Sequence, residues 1–231
     1  MAGVSNVAPI QEKDLEFLKG VDSPTIANAI EPFKVRDRTE GFIGGAVRSL
    51  FPEMSPMVGS ALTVTMTHTS GALAAREQWW RMFEALAAIP APSVLVVQDV
   101  SGLPSRCAYA GEVMATMAKR LGAVGMVTDG GLRDVAEVRA LGFGYFARYV
   151  VVSHGNFDIV DIGEPITLDG QEVKTGDILH GDANGIVIVP REVLDGLPAA
   201  VREVRTRERA TMDFIISAEY TLAEARKRAG Y

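Results

Sequence analysis

Two short stretches bring charged side chains to places where an α/β chain offers free backbone donors. One is GEVM, residues 111–114; the other is GGLRD, residues 130–134. Each follows an apolar run, SVLVVQDV at 93–100 and VGMVTDG at 124–130, and each leads into a segment of helical periodicity. The start of a helix exposes unpaired N–H groups and a partial positive charge, so an anion fits there. In open α/β sheets such starts gather beyond the carboxyl ends of the strands. Gly111 lets a ligand approach the backbone closely. Arg133 supplies a planar fork of donors matched to a carboxylate or enolate. Asp134 supplies a hard oxygen for a divalent cation, and Glu112 a second carboxylate. Magnesium is commonly held by one or two carboxylates, with water and substrate completing its shell. The same residues have plainer uses as a helix cap, a first-turn acid and a solvated charge, and by pattern alone those uses are the commoner.

Other chemistries find less support. His68, His154 and His180 stand at no metal-pair spacing, and none is evidently placed as a base. Cys107 is the one cysteine, so no intramolecular disulfide forms and a reducing compartment is the simple reading. No Ser–His–Asp order, Cys-x-x-Cys or P-loop is readable, and GFIGG at 41–45 lacks the spacing of a dinucleotide fingerprint. A net charge of -6 argues against nucleic-acid binding, which needs a basic footprint. The start MAGVSNVAPIQEKDL has neither the basic start nor the apolar core of a signal peptide, and no apolar run approaches a membrane span. The expectation is a cytoplasmic protein that meets neither membrane nor nucleic acid.

The elements that must position these residues are legible in outline. With 48% apolar residues in 231, the chain can bury a sizeable core, and one compact domain is the simplest assembly. Residues 93–142 read strand, helix, strand, helix, an α/β unit. In AGEVMATMAKRLG, Val113, Met117 and Leu121 are expected inside, with Gly122 at the end. The next strand is expected to end near Thr128, with a helix start at GGLRD. Upstream, QEKDLEFLKG reads as a short helix with Leu15 and Leu18 on one face and Gly20 closing it. DSPTIANAIEPF reads as a second, with Ser23 as cap, Pro24 in the first position, and Ile26 and Ile30 on one face until Pro32. ALTVTMTH alternates, placing Leu62, Val64 and Met66 on one side. Trp79, Met82, Phe83 and Leu86 form a helical apolar stripe, read as core or subunit contact. Beyond 144 the pattern is strands, with a tight turn at Asp169-Gly170. Residues 191–229 are helical and interrupted near Pro198.

The stretch GEVMATMAKRLGAVGMVTDGGLRD resembles the RraA-like family, which includes the 4-hydroxy-4-methyl-2-oxoglutarate and 4-carboxy-4-hydroxy-2-oxoadipate aldolases. The family hallmark is an acid, twenty intervening residues and Arg-Asp, matched by Glu112, Arg133 and Asp134. VKTGDILHGDANGIVIVP at 173–190 resembles the second signature, and DSPTIANAIE the N-terminal helix. The resemblance implies a single α/β domain over 1–231, an α-β-β-α sandwich like the swivelling phosphohistidine domains, assembled as a homotrimer or homohexamer. The C-terminal helical segment, about 191–229, would pack on a neighbouring subunit. It also implies a class II pyruvate aldolase dependent on Mg2+ or Mn2+, cleaving a 4-hydroxy-2-oxo acid to pyruvate, with oxaloacetate decarboxylation as a side activity. In that scheme Asp134 binds the metal, Glu112 reaches it through water, and Arg133 holds the oxygen that becomes the enolate. The amides of Gly111, Glu112, Val113 and Met114 hold the substrate carboxylate, and Glu208 from a neighbour completes the site. Asn28 departs from the family, standing where relatives often carry an acid. Two other readings stay open: a non-catalytic protein of the same fold that regulates a ribonuclease, and a lysine Schiff-base aldolase.

Overall fold

A computed structural model describes residues 6–68 and 76–228. In chain order the elements are α1 (Glu12–Lys19), α2 (Ser23–Ile30), β1 (Phe42–Ile43), β2 (Arg48–Ser49), β3 (Met57–Thr67), α3 (Arg76–Ala88), β4 (Ser93–Asp99) and β5 (Ala108–Ala110). They continue as α4 (Glu112–Arg120), β6 (Ala123–Leu132), α5 (Val135–Ala140), β7 (Gly144–Val150), β8 (Asp158–Ile162), β9 (Ile166–Leu168), β10 (Gln171–Val173), β11 (Ile178–Asp182), β12 (Gly185–Val189), α6 (Leu197–Ile215) and α7 (Leu222–Arg228).

The architecture is mixed α/β. Ten strands form one sheet in the order β1-β12-β11-β3-β4-β6-β7-β2, with β5 paired to β6 and β8 to β3. Its centre, β3-β4-β6-β7, is parallel. These strands are apolar at nearly every position because both faces are covered. The strand order advances without reversing, so crossovers of one hand place α3, α4 and α5 on one face. Leu62, Val64, Met66, Leu95 and Met126 there meet Met82, Phe83 and Leu86 of α3, Met114 and Ala118 of α4, and Val138 of α5. Val94, Val96 and Val127 face the other way and are covered by Ile166, Leu168 and Val173 of the β9–β10 hairpin. A third cluster joins α1, α2 and α6 to β11 and β12. At the hairpin tip Asp169 (φ +49°) and Gly170 (φ +81°) adopt the backbone of a type I′ turn, as Asp-Gly favours.

Several local expectations are corrected. β6 does not stop at Thr128 but runs on to Leu132, so α5 starts at Val135. Its two glycines serve close packing and not a turn: a Cβ on Gly130 would lie 2.6 Å from the Tyr109 ring, and one on Gly131 2.5 Å from the Cys107 carbonyl. On α4 Met114, Ala115 and Ala118 are buried, and Met117 and Leu121 pack against the same cluster as expected, but Val113 is 72% exposed. Asp22, not Ser23, caps α2 by accepting the Thr25 amide at 2.9 Å. Ser23 instead donates its amide and hydroxyl to Asp182, at 2.7 and 2.6 Å, tying α2 to the end of β11. Pro198 lies in the first turn of α6 and begins that helix, where its missing N–H is not needed.

Candidate active site

The short strand β5 and the end of β6 run side by side, Ala108 opposite Gly131 and Ala110 opposite Leu132. The Arg133 amide then donates to the Ala110 carbonyl at 3.0 Å. This pairing sets Gly111, at the start of α4, against Arg133 and Asp134, at the start of α5. The fit is close: a Cβ on Gly111 would stand 2.3 Å from Asp134 Oδ2 and 2.9 Å from Arg133 Nε.

Asp134 adopts the left-handed conformation (φ +56°, ψ +46°) and makes no side-chain bond to its own helix. That backbone, uncommon outside Gly, Asn and Asp, turns the carboxylate across to α4, where Oδ2 accepts the Glu112 amide at 2.8 Å. Arg133 Nε lies 3.7 Å from the same oxygen. Both side chains are about one-third exposed, 35% and 36%, so they are steered by the fold yet open to a ligand. Neither the amide of Val113 nor that of Met114 has an intrahelical acceptor, being in the first turn. Behind this wall Tyr145 is buried on β7, its hydroxyl directed to the Gly111 carbonyl at 3.4 Å.

These groups border a pocket of about 330 Å³ at the carboxyl ends of the parallel strands, shared with Trp79, Tyr109, His154 and Phe157. Arg133, Asp134, Gly111, Val113 and Met114 therefore come together as expected. The carboxylate of Glu112 does not line the pocket; it is exposed, and its amide is engaged by Asp134. Glu208 lies on α6 and accepts from Asn28 Nδ2 at 3.3 Å in the same chain. Among the described residues no lysine borders the pocket, which removes the ground for a Schiff-base nucleophile. A larger cleft of about 530 Å³ opens at the opposite ends of the strands. Among the described residues that line it the one carboxylate, Asp182, is already engaged by Ser23 and Asn184.

Six pocket residues were missed from the sequence, two of them, Ala108 and Ala110, flanking Tyr109 on β5. Trp79, Tyr109, His154 and Phe157 come from separate segments, and no local spacing links them to the Arg-Asp pair. His154 donates from Nδ1 to the Gly155 carbonyl at 2.6 Å, which in the neutral ring leaves the Nε2 lone pair free. Cys107 is fully buried, its thiol donating to the His154 carbonyl at 2.8 Å. Burial, and then the nearby Asp99 charge, push that thiol up to about 12, so it is no nucleophile.

Beneath the pocket lies a second polar group. The Tyr109 hydroxyl and Ser101 Oγ donate to the two oxygens of Asp99, and the Asp99 amide donates to Asp129 Oδ1 at 2.6 Å. Burial raises the Asp129 carboxyl to about 6, with the charge of Asp99 adding to it and the amide bond opposing. Such a carboxyl binds more protons folded than unfolded between about pH 4 and 6, so stability falls as pH rises through that window. Asp129→Asn keeps the accepting oxygen and removes the buried charge. Its expected effect is a stabilisation of about 1–2 kcal/mol at pH 7.5 that disappears near pH 4, read as the shift in urea midpoint at the two pH values.

Comparison with known proteins places the chain in a family. The profile of the RraA-like family, described as Aldolase/RraA, matches residues 14–188. A protein of Halalkalibacterium halodurans named "Putative 4-hydroxy-4-methyl-2-oxoglutarate aldolase" is 33% identical over 131 residues. That match covers 54% of this chain and 62% of the relative, somewhat under two thirds of its length. Among solved structures, an uncharacterized protein of Pseudomonas syringae pv. tomato superposes with a TM-score of 0.72 at 23% identity, over 96% of this chain and 97% of that one. Streptomyces coelicolor RraAS2, described as an unusual member of the RNase ES inhibitor RraA protein family, gives 0.67 at 22% identity, covering 89% and 100%. At that identity the likeness is one of fold. Among the described residues no helix is long and apolar enough to cross a membrane. With its profile spanning both helix starts and the strands that present them, the chain belongs to the RraA-like family.

Proposed function

We propose that the chain is a divalent-metal-dependent lyase that cleaves a 4-hydroxy-2-oxo acid to pyruvate and a second carbonyl compound. The observation that carries this reading is the convergence of Arg133, Asp134 and the first turn of α4 on one wall of one pocket. The donor set suits Mg2+ or Mn2+. Among the described residues no three of His, Cys, Asp and Glu stand together as a full ligand cage. A partly exposed aspartate with one oxygen fixed by an amide is instead the kind of site that leaves most positions to water and substrate. When bound, the cation supplies Lewis-acid polarisation of the 2-oxo group.

The residues divide the remaining work. Asp134 would hold the cation. Val113 and Met114 present amides to the substrate carboxylate, with the α4 dipole behind them. Arg133 places fixed positive charge beside the oxygen on which negative charge grows as the C3–C4 bond breaks. Glu112, beside the pocket lining, would act on a bound cation only through water. His154 Nε2 accepts the proton of the C4 hydroxyl, the role for which the pocket offers no other free nitrogen lone pair among the described residues. Glu208 belongs to an adjoining subunit's site. From Arg205 to Asp213 every residue of α6 is exposed, and Met212, Ile215 and the following Ile216 are open to solvent, as suits an arm that packs on another copy in a homotrimer or homohexamer.

The test is pyruvate release from a panel of 4-hydroxy-2-oxo acids and oxaloacetate, followed by coupled reduction to lactate. Release that requires Mg2+ or Mn2+ and stops with a chelator is expected. A protein that releases pyruvate from none of them is not this lyase, and the reading as a non-catalytic regulator of a ribonuclease then takes its place.

A further inference from the structure

The pocket has two unlike halves. One carries Arg133, Asp134 and the α4 amides. The other, among the described residues, is built from Trp79, Tyr109, Phe157, Val113, Met114 and His154. The rings are held in fixed edge contacts: Trp79 meets Phe83 with centroids 4.8 Å apart at 81°, and Tyr109 meets Phe157 at 6.3 Å and 71°. Tyr109 presents its ring alone, because its hydroxyl is turned behind the wall to Asp99. Arg133 is the one Arg or Lys among the described residues that border the pocket, and it already lies 3.7 Å from Asp134.

We propose, resting on the lyase reading above, that the fragment released with pyruvate is an uncharged aldehyde bearing an aromatic or bulky apolar group. The substrate class is then R–CH(OH)–CH2–CO–COO⁻ with R apolar. A second carboxylate, as in 4-hydroxy-4-methyl-2-oxoglutarate, would be desolvated against aromatic rings, with no Arg or Lys among the described residues of that half to pair it. An aromatic R instead meets ring edges and a methionine thioether. The reaction balances without an oxidant. The C4 hydroxyl loses its proton and becomes the aldehyde carbonyl, the C3–C4 bond breaks, and its electron pair stays on C3 as the enolate, which takes up a proton to give the pyruvate methyl group. A volume of about 330 Å³ is at the small end for ligand pockets, enough for a keto acid and one ring.

The test compares kcat/KM, with Mg2+ present, for 4-hydroxy-2-oxo-4-phenylbutanoate and 4-hydroxy-4-methyl-2-oxoglutarate. A preference of at least tenfold for the phenyl substrate is expected. A smaller preference, or one for the dicarboxylate, overturns the substrate class and leaves the lyase reading standing. Absence of metal-dependent pyruvate release from both, and from oxaloacetate, overturns the two together. Trp79→Ala should lower the phenyl-to-dicarboxylate ratio at least tenfold. Because Trp79 packs on Phe83, its folding is checked by circular dichroism. Val113→Arg, at a position 72% exposed, adds a cation at the rim without disturbing the core and should move the same ratio toward the dicarboxylate. A ratio that neither variant moves also overturns the proposal.

Discussion

Arg133→Ala should reduce metal-dependent pyruvate release by a factor of 10² to 10³ or more, the effect of removing one preorganised donor from a developing oxyanion. The loss should fall on kcat, since the guanidinium acts where charge appears during bond breaking and not where it already exists. Arg133→Lys keeps the charge and loses the planar fork, so it should recover only a small part of the rate. The companion variant is best made as Asp134→Asn. At φ +56° the residue sits in left-handed space, which asparagine tolerates and alanine does not, at a cost of about 1–2 kcal/mol. Asp134→Asn can still accept the Glu112 amide, so α4 keeps its cap, while the negative charge needed to hold a cation is gone. Mn2+ binding by equilibrium dialysis should be lost in Asp134→Asn and retained in Arg133→Ala. Equal metal binding by both variants would show that Asp134 serves only as a cap, and full activity in both would remove the site from consideration.

Those two experiments separate readings that the sequence left open, and the reason it left them open is physical. The unit from β4 to α5 was legible because burial on both faces forces continuous apolar strands, and burial on one side forces a helical period. The Asp169-Gly170 turn was legible because its backbone demands positive φ twice. The Gly130–Gly131 pair misled for a related reason. Glycine marks both turns and close contacts, and only the fold reveals that Tyr109 and the Cys107 carbonyl lie against these two. β5 went unseen because three residues carry no period, yet its pairing with β6 is what brings Gly111 to Arg133. The acid and Arg-Asp spacing identified the charged half of the pocket. The aromatic half is contributed by α3, β5 and the loop before β8, and its members become neighbours only through the sheet. Ser23 and Asp22 illustrate the same limit at small scale. Either could cap α2 on local grounds, and the choice was made by Asp182, 159 residues away, which engages the serine.

Gly111→Ala should leave the protein folded and nearly inactive. The backbone at Gly111, φ −136° and ψ −165°, is extended and open to any residue, so the substitution creates no conformational strain. Alanine is a poorer residue than glycine just before a helix, which costs about 1 kcal/mol or less and a few degrees in Tm. The added methyl carbon would fall 2.3 Å from Asp134 Oδ2 and 2.9 Å from Arg133 Nε. Neither contact is with backbone, so both side chains can swing away, with loss of the Asp134 bond to the Glu112 amide costing about 1 kcal/mol. Those are the two groups proposed to hold the cation and the enolate oxygen. A displacement of about 1 Å at reacting groups costs on the order of 10²-fold in rate, so kcat/KM should fall at least that far while the thermal midpoint falls by only a few degrees. A comparable loss in stability would instead mean that the close approach of the two helix starts is a packing requirement of the fold. Unchanged kinetics would mean that neither Asp134 nor Arg133 has to stay where the structure places it, and the chemistry would have to be sought elsewhere on the sheet.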